Sequence, residues 1–146
     1  MRRVRDSLTL EMFEIPAPPP PLAGGMDLDG ALRAAICDAI KHCDHDRIGV
    51  AAEMSRLTGR HISKAMLDAY TGESREDHNL PFRYAAAFEV ATGSYCLTQL
   101  LAKQRGCKVL VGEEALLAEL GRLDQMEAEL KTQKAALKHY LESKKS

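Results

Sequence analysis

Basic and hydroxyl side chains are concentrated in the stretch "RLTGRHISKAMLDAYTGESR", residues 56 to 75. Lysine and arginine pair with phosphates or with guanine edges, and serine and threonine hydroxyls pair with either kind of group. The side chains that we predict to contact DNA are Arg56, Arg60, His61, Ser63, Lys64, Leu67, Thr71 and Arg75. We expect Ser63, Lys64 and Leu67 to face bases, and the three arginines to hold phosphates.

The charge around this stretch limits that interpretation. The whole chain has a formal net charge of −1, and residues 27 to 80 contain seven Lys or Arg against ten Asp or Glu. DNA binding would therefore depend on a local basic patch, because no global positive field attracts phosphates. The connector "TGRHI" is also longer than the three or four residues usual between the helices of a helix-turn-helix. Two other interpretations stay open: a protein-interaction adaptor, and a DNA mimic or inhibitor of a host factor.

The segment "CDAIKHCDHD", residues 37 to 46, brings four possible metal ligands close together in the sequence. Cys37 and Cys43 are six residues apart, which places them on different faces of a helix. The chain has no C-x-x-C motif and no second ligand pair downstream. Structural zinc sites need four converging ligands, so we expect no metal site here.

Motifs of catalysis are missing from the chain as well. It has no G-x-x-x-x-G-K, no H-E-x-x-H and no nucleophile elbow. The five histidines are scattered at polar positions, where a solvated histidine is the common case. We therefore expect a protein that is not an enzyme and that needs no cofactor.

The start of the chain, "MRRVRDSLTL", is basic, but no apolar run of signal-peptide length follows it. No segment approaches the roughly 18 apolar residues of a membrane span. The four cysteines are therefore expected to be free thiols in a reducing, cytoplasmic environment.

Apolar residues recur at helical spacing through the middle of the chain, and Ala, Leu, Glu and Lys are abundant, so we predict an all-α fold. The five predicted helices cover residues 29–43, 47–57, 64–71, 81–92 and 95–105, with Ser63 and Ser94 as N-caps of the third and fifth. The inward stripe of the third helix is expected to be Ile62, Ala65, Met66, Ala69 and Tyr70. The second and third helices have the proportions of a helix-turn-helix.

Composition divides the chain into three parts: residues 1–26, 27–111 and 112–146. The first part is a flexible, proline-rich arm in which Ala17 to Leu22 is predicted to be extended, because proline lacks the amide proton. Within it, "LTLEMFEI" is a candidate segment for docking on a protein partner or for adding an edge strand. The second part is the helical domain, which ends in the short apolar connector "CKVLV".

The third part is predicted to be one long helix from Glu113. Leucines recur every seven residues at one seam position, and the other seam position is half polar. The seam consists of Leu116, Leu123, Leu130 and Leu137 at the first position and of Leu120, Glu127, Lys134 and Leu141 at the second. We expect self-association through the leucines of both positions. Glu127 and Lys134 favour antiparallel or offset pairing, because each would repel its own copy in a parallel dimer in register.

The sequence from Val50 to Leu123 resembles a family of small early-region proteins of Mu-like transposable phages and prophages. The shared pattern is "AAxMSxLTG", then "SKxMLDAY" and "ESRE", then "RGCxxLVGEEAL" and a charged helical tail. The resemblance extends over nearly everything from Leu28 onward and includes the proline-rich arm. More loosely, the middle part is similar to phage regulators of the repressor and Cro type, which are helix-turn-helix proteins. The resemblance implies control of transcription or of transposition.

Together these observations predict an all-α protein: a five-helix domain with a helix-turn-helix core, followed by a long coiled-coil-like helix. The expected function is that of a phage-derived, oligomeric regulator that binds double-stranded DNA. Two half-sites about one helical turn apart would follow from a two-fold dimer.

Overall fold

The computed structural model describes residues 16–73 and 77–145. This part of the chain contains six α-helices and one 3₁₀ turn and no strand, so the prediction of an all-helical protein with a long C-terminal helix is confirmed. The helices are α1 (Asp29–His42), α2 (Arg47–Thr58), α3 (Lys64–Thr71), α4 (Ala85–Thr92), α5 (Cys96–Gln104) and α6 (Glu113–Ser143). The chain divides into two compact units between Val109 and Leu110.

Local capping residues fix both ends of α2 and the start of α3. The carboxylate of Asp46 accepts a hydrogen bond from the Gly49 amide at 2.7 Å and so begins α2. The hydroxyl of Ser63 accepts from the Met66 amide at 3.2 Å and begins α3, as predicted. Gly59, in the left-handed conformation at φ 65°, ends α2.

Two helix starts differ from the prediction. Pro81 begins a 3₁₀ turn over Phe82–Tyr84 and not an α-helix, because the Tyr84 amide bonds back to the Pro81 carbonyl three residues earlier. Ser94 does not cap α5. The carboxylate of Glu89 on α4 takes that role, accepting from the Thr98 amide at 2.7 Å and the Thr98 hydroxyl at 2.8 Å.

The core of the first unit lies among α1 to α5. Its largest fully buried side chains are Ile36, Val50, Met54, Leu67 and Phe88. Helix α2 packs on α3 and α4, and α1 packs on α3 and α5. Helix α3 is therefore held from two sides, by the helix that precedes it and by the first helix of the domain.

A buried arginine ties α1 to the segment that follows α3. The guanidinium of Arg33 donates to the Asp29 carboxylate, to the Gly72 carbonyl and to the side-chain oxygen of Asn79. Burying a cation is costly unless it is paired and hydrogen-bonded, and these three acceptors, one of them a carboxylate, offset that cost. The end of α3 is thus fixed by a side chain from a distant helix.

The described part of the proline-rich arm, residues 16–26, lies against the end of α5. The side-chain amide of Gln104 donates to the Gly25 carbonyl at 2.8 Å. The arm also passes close to Gly106. A Cβ at this position would lie only 2.3 Å from the Pro18 nitrogen, so the close approach needs a glycine. The segment "LTLEMFEI" lies outside the described residues, and the flexibility of the arm stays a prediction.

Helix α6 makes up most of the second unit and spans 31 residues. Its six seam leucines are 48–71% exposed in the single chain. No helix in the described part of the chain is both long and apolar enough to cross a membrane.

Candidate nucleic-acid interface

The turn between α2 and α3 is held by side-chain hydrogen bonds. The hydroxyl of Ser55 on α2 accepts from the Ile62 amide at 2.9 Å, and the Thr58 hydroxyl accepts from the Arg60 amide at 3.3 Å. The side chain of Ile62 is buried in the core. These contacts fix the five-residue turn, although it is longer than usual, and they fix the direction in which α3 leaves it.

The prediction that Leu67 faces bases is wrong. Leu67 is fully buried in the core, together with Tyr70 one turn later. Because an α-helix advances about 100° per residue, Ala65 then lies on the opposite side of α3, and it is exposed where it was expected to be inside. Core packing has turned this short helix by about one residue relative to the sequence-based assignment.

Lys64, Ala65 and Asp68 occupy the outward side of α3. The Asp68 carboxylate receives the Lys64 ammonium at 2.7 Å and the Arg47 guanidinium of α2 at 3.1 Å. The hydrogen bond from Lys64 lowers the pKa of Asp68, so this carboxylate stays ionised throughout the neutral range. The outward side of α3 therefore carries a carboxylate between two cations.

Thr71 is occupied by contacts within the protein. Its hydroxyl donates to the Leu67 carbonyl at 3.1 Å and accepts from Arg47 at 2.9 Å. The hydroxyl of Ser63 is likewise engaged as the cap of α3. Both residues serve to position α3.

Three of the remaining residues that were predicted to contact DNA lie at the end of α2 and in the turn. Arg56 is exposed and forms a bidentate ion pair with Glu53, which lowers the pKa of Glu53. Arg60 and His61 are exposed, and no described side chain forms an ion pair with Arg60. Arg75 lies outside the described residues. The structure thus brings Arg56, Arg60, His61 and Lys64 to the turn and to the start of α3.

Three residues that position the candidate interface were not identified from the sequence. Ser55 holds the turn, Arg47 bridges α2 to α3, and Arg33 anchors the segment after α3. The spacing from Ser55 to Ile62 and from Arg47 to Asp68 follows no local rule, because each pair meets across a turn or between helices. No single-sequence signal marks them.

A second surface lies elsewhere on the same unit. An apolar groove of about 550 Å³ runs between the starts of α1 and α4 and the outer side of α5. Phe82 at its edge is 81% exposed. The apolar residues that line it are Leu28, Leu32, Leu80, Phe82, Ala85, Ala86, Leu97, Leu100 and Leu101.

Comparisons of the chain with protein-family models, with curated proteins and with solved structures found no match. The resemblance to early-region proteins of Mu-like phages stays a prediction. The function of the protein must therefore be inferred from the geometry of α2, the turn and α3.

Proposed function

We propose that the protein is a non-enzymatic, phage-derived regulator that binds double-stranded DNA as an oligomer in the cytoplasm. In this proposal α2, the turn and α3 act as a helix-turn-helix, with α3 in the major groove. The observation that carries the proposal is the placement of α3. Its inner side is sealed in the core, its N-terminal end is fixed by Ser55 and Ser63, and its outer side remains open.

The outward side chains suggest specific roles. Lys64 at the start of α3 is suited to a guanine edge, and the exposed Ala65 is suited to a thymine methyl group. Asp68 offers an acceptor for a cytosine amino group. Arg56 and Arg60, beside the turn, are placed to hold backbone phosphates.

Ion pairing within this surface sets the expected strength of binding. Lys64 and Arg56 must exchange their carboxylate partners for DNA groups, and exposed pairs of this kind contribute little to stability. DNA groups can therefore replace these weak pairs. Glu53 and Asp68 still repel phosphates, and this repulsion is uncompensated where no base contacts form. We therefore expect weak binding to random DNA and tighter binding to a specific sequence.

A titration of random duplex DNA with the full chain over a salt series tests the proposal. Binding is expected at about 50 mM salt and should weaken steeply as the salt concentration rises. Replacing a phosphate contact, as in Arg60→Gln, should lower the salt slope by about one. Lys41→Gln, an exposed change on α1, is the matched control and should leave the slope unchanged. The absence of any binding at low salt would contradict the proposal.

An interaction adaptor or inhibitor of a host factor is the second candidate, and the exposed Phe82 beside the apolar groove favours it. Contiguous exposed apolar surface commonly marks a protein-binding site. The same titration separates the two candidates. An adaptor that works through the groove should not bind duplex DNA at low salt. Lys64→Glu should not change that result.

A further inference from the structure

The two seam positions of α6 differ in polarity, and this difference restricts how two copies can pair. Leucine fills the whole of one position, whereas the other carries Glu127 and Lys134 in its middle. Several residues that flank the seam are also charged, with Glu119 on one side and with Asp124, Lys131 and Lys138 on the other. A partner helix must cover the leucines without placing like charges opposite one another.

A parallel dimer in register matches it poorly. Each seam residue would meet its own copy, so that Glu127 faces the partner's Glu127 and Lys134 faces the partner's Lys134. The flanking positions would bring Glu119 beside the partner's Asp124, since these positions pair across a parallel seam. Two seam layers and the Glu119–Asp124 flanking contacts would therefore bring like charges together and oppose this arrangement.

An antiparallel pair with complete overlap removes every one of these clashes. Its layers are Leu116 on the partner's Leu141, Leu120 on the partner's Leu137, Leu123 on the partner's Lys134, and Glu127 on the partner's Leu130. Asp124 then flanks the seam beside the partner's Lys131, and symmetry forms this ion pair twice. The two-fold axis passes between Ala128 and Glu129, which is the middle of the helix Glu113–Ser143.

Neighbouring antiparallel registers are less favourable. A shift of one heptad in one direction places Asp124 beside the partner's Asp124. A shift in the other direction places Lys131 beside the partner's Lys131, although it also brings Asp124 beside the partner's Lys138. Both shifts shorten the overlap and leave seam leucines at one end without a partner, so length selects complete overlap and the Asp124–Lys131 pair is compatible with it.

We propose that α6 pairs with α6 of a second copy of this chain as an antiparallel two-stranded coiled coil in which Leu116 lies opposite the partner's Leu141. The inference rests on the self-association that is part of the proposed function, but its test uses no DNA, so the two can fail separately. The two Glu113 residues then lie at opposite ends of the pair, about 45 Å apart at 1.5 Å per residue. A parallel pair would place them side by side.

Charge exchange at the flanking positions, measured on the full chain by sedimentation equilibrium, tests the pairing. Asp124→Lys places like charges beside the partner's Lys131 twice, and Lys131→Asp does the same beside the partner's Asp124. Each single variant should raise the dimer Kd about tenfold. The double variant should return it to near the wild-type value, because both ion pairs are restored with reversed sign.

An equimolar mixture of the two single variants is the sharpest arm of this test. The mixed dimer carries two attractive pairs, so it should form at the expense of both homodimers. Changes within each helix are the same in the mixture and in the separate samples, and therefore cannot produce this recovery. Circular dichroism at 222 nm checks that the variants keep their helices.

The contrary outcomes are distinct. In a parallel dimer Asp124→Lys would tighten association, because the new lysine would lie beside the partner's Glu119. That result would overturn the inference, as would an unchanged Kd in the single variants or the absence of recovery in the mixture. A wild-type chain that stays monomeric at about 100 μM, or that forms trimers, would overturn it too.

Discussion

At the scale of single residues, Asp68 governs the charge of the candidate interface. Its pairing with Lys64 is predictable from the sequence, since the two residues are four apart on one helix. Its contact with Arg47 is not, because these residues are 21 positions apart and meet only when α2 packs on α3. The Lys64–Asp68 contact could therefore be predicted from the sequence, and the Arg47–Asp68 contact could not.

Replacing Asp68 with asparagine should raise the affinity for random duplex DNA by about fivefold at low salt, because Lys64 and Arg47 lose their shared carboxylate. If Asp68 accepts a hydrogen bond from a cytosine, the preference for one sequence should fall as well. A fluorescence-anisotropy titration measures both quantities. Asp38→Asn, which removes an exposed carboxylate from α1, is the matched control. An equal gain in the two variants would show that net charge alone is responsible.

The four free cysteines give a second residue-scale prediction. Cys107 is exposed, whereas Cys96 is half-buried, and burial raises its pKa. Because the thiolate is the reactive form, Cys96 should be alkylated much more slowly than Cys107 at pH 8, and its rate should still be rising above pH 9. Iodoacetamide labelling followed by peptide mass spectrometry measures the order. Faster labelling of Cys96 would contradict the burial of its side chain.

At the scale of the elements, the helix boundaries set by local caps were predictable, whereas the starts of α4 and α5 and the orientation of α3 were not. Asp46, Gly59 and Ser63 act on neighbouring backbone groups, so both ends of α2 and the start of α3 follow from the local sequence. The direction in which Leu67 points depends on the core formed by four other helices. A short helix with apolar residues on most sides leaves that choice to tertiary packing.

Ser55 should stabilise the turn before α3. Ser55→Ala leaves the Ile62 amide without its acceptor, which should lower the free energy of unfolding by about 1–2 kcal/mol and weaken DNA binding. Urea denaturation followed by circular dichroism measures the loss. Thr132→Ala removes an exposed hydroxyl from α6 and should cost much less. Equal losses in the two variants would show that Ser55 does no more than an ordinary helix hydroxyl.

The anchoring of the segment after α3 depends on the shape of the Arg33 side chain. Lysine keeps the charge but cannot donate to three separate acceptors in a fork, so Arg33→Lys should lower the free energy of unfolding by about 2 kcal/mol. Arg122→Lys, at an exposed ion pair on α6, is the matched control and should be nearly neutral. Thermal unfolding of both variants tests this, and a neutral Arg33→Lys would contradict the anchoring role.

At the scale of the whole molecule, the chain combines a folded helical unit with a long helix that has its own heptad pattern. The heptad of α6 was evident in the sequence, because a period of seven residues needs no tertiary information. The apolar groove beside Phe82 was not, since its lining comes from α1, α4 and α5. Periodic features were therefore predictable, and surfaces assembled from several helices were not.

Self-association and DNA binding should be coupled. Leu130→Glu places a glutamate opposite the partner's Glu127 in the proposed pair, so it should yield a monomer and lower the affinity for a two-half-site duplex by at least about tenfold. Light scattering and anisotropy measure the two effects on one sample. Ala135→Glu adds the same charge to α6 outside the seam, and should keep both dimer and affinity. A Leu130→Glu monomer with undiminished affinity would separate the oligomer from DNA recognition.

The most direct test of the central claim is a nuclear magnetic resonance titration of the isotope-labelled full chain with a short DNA duplex. The account predicts that backbone amide shifts concentrate between Arg56 and Thr71, on the turn and on α3. Lys64→Glu should remove them and leave the rest of the spectrum intact. Shifts confined to the groove beside Phe82, or no shifts at low salt, would contradict DNA recognition by α3.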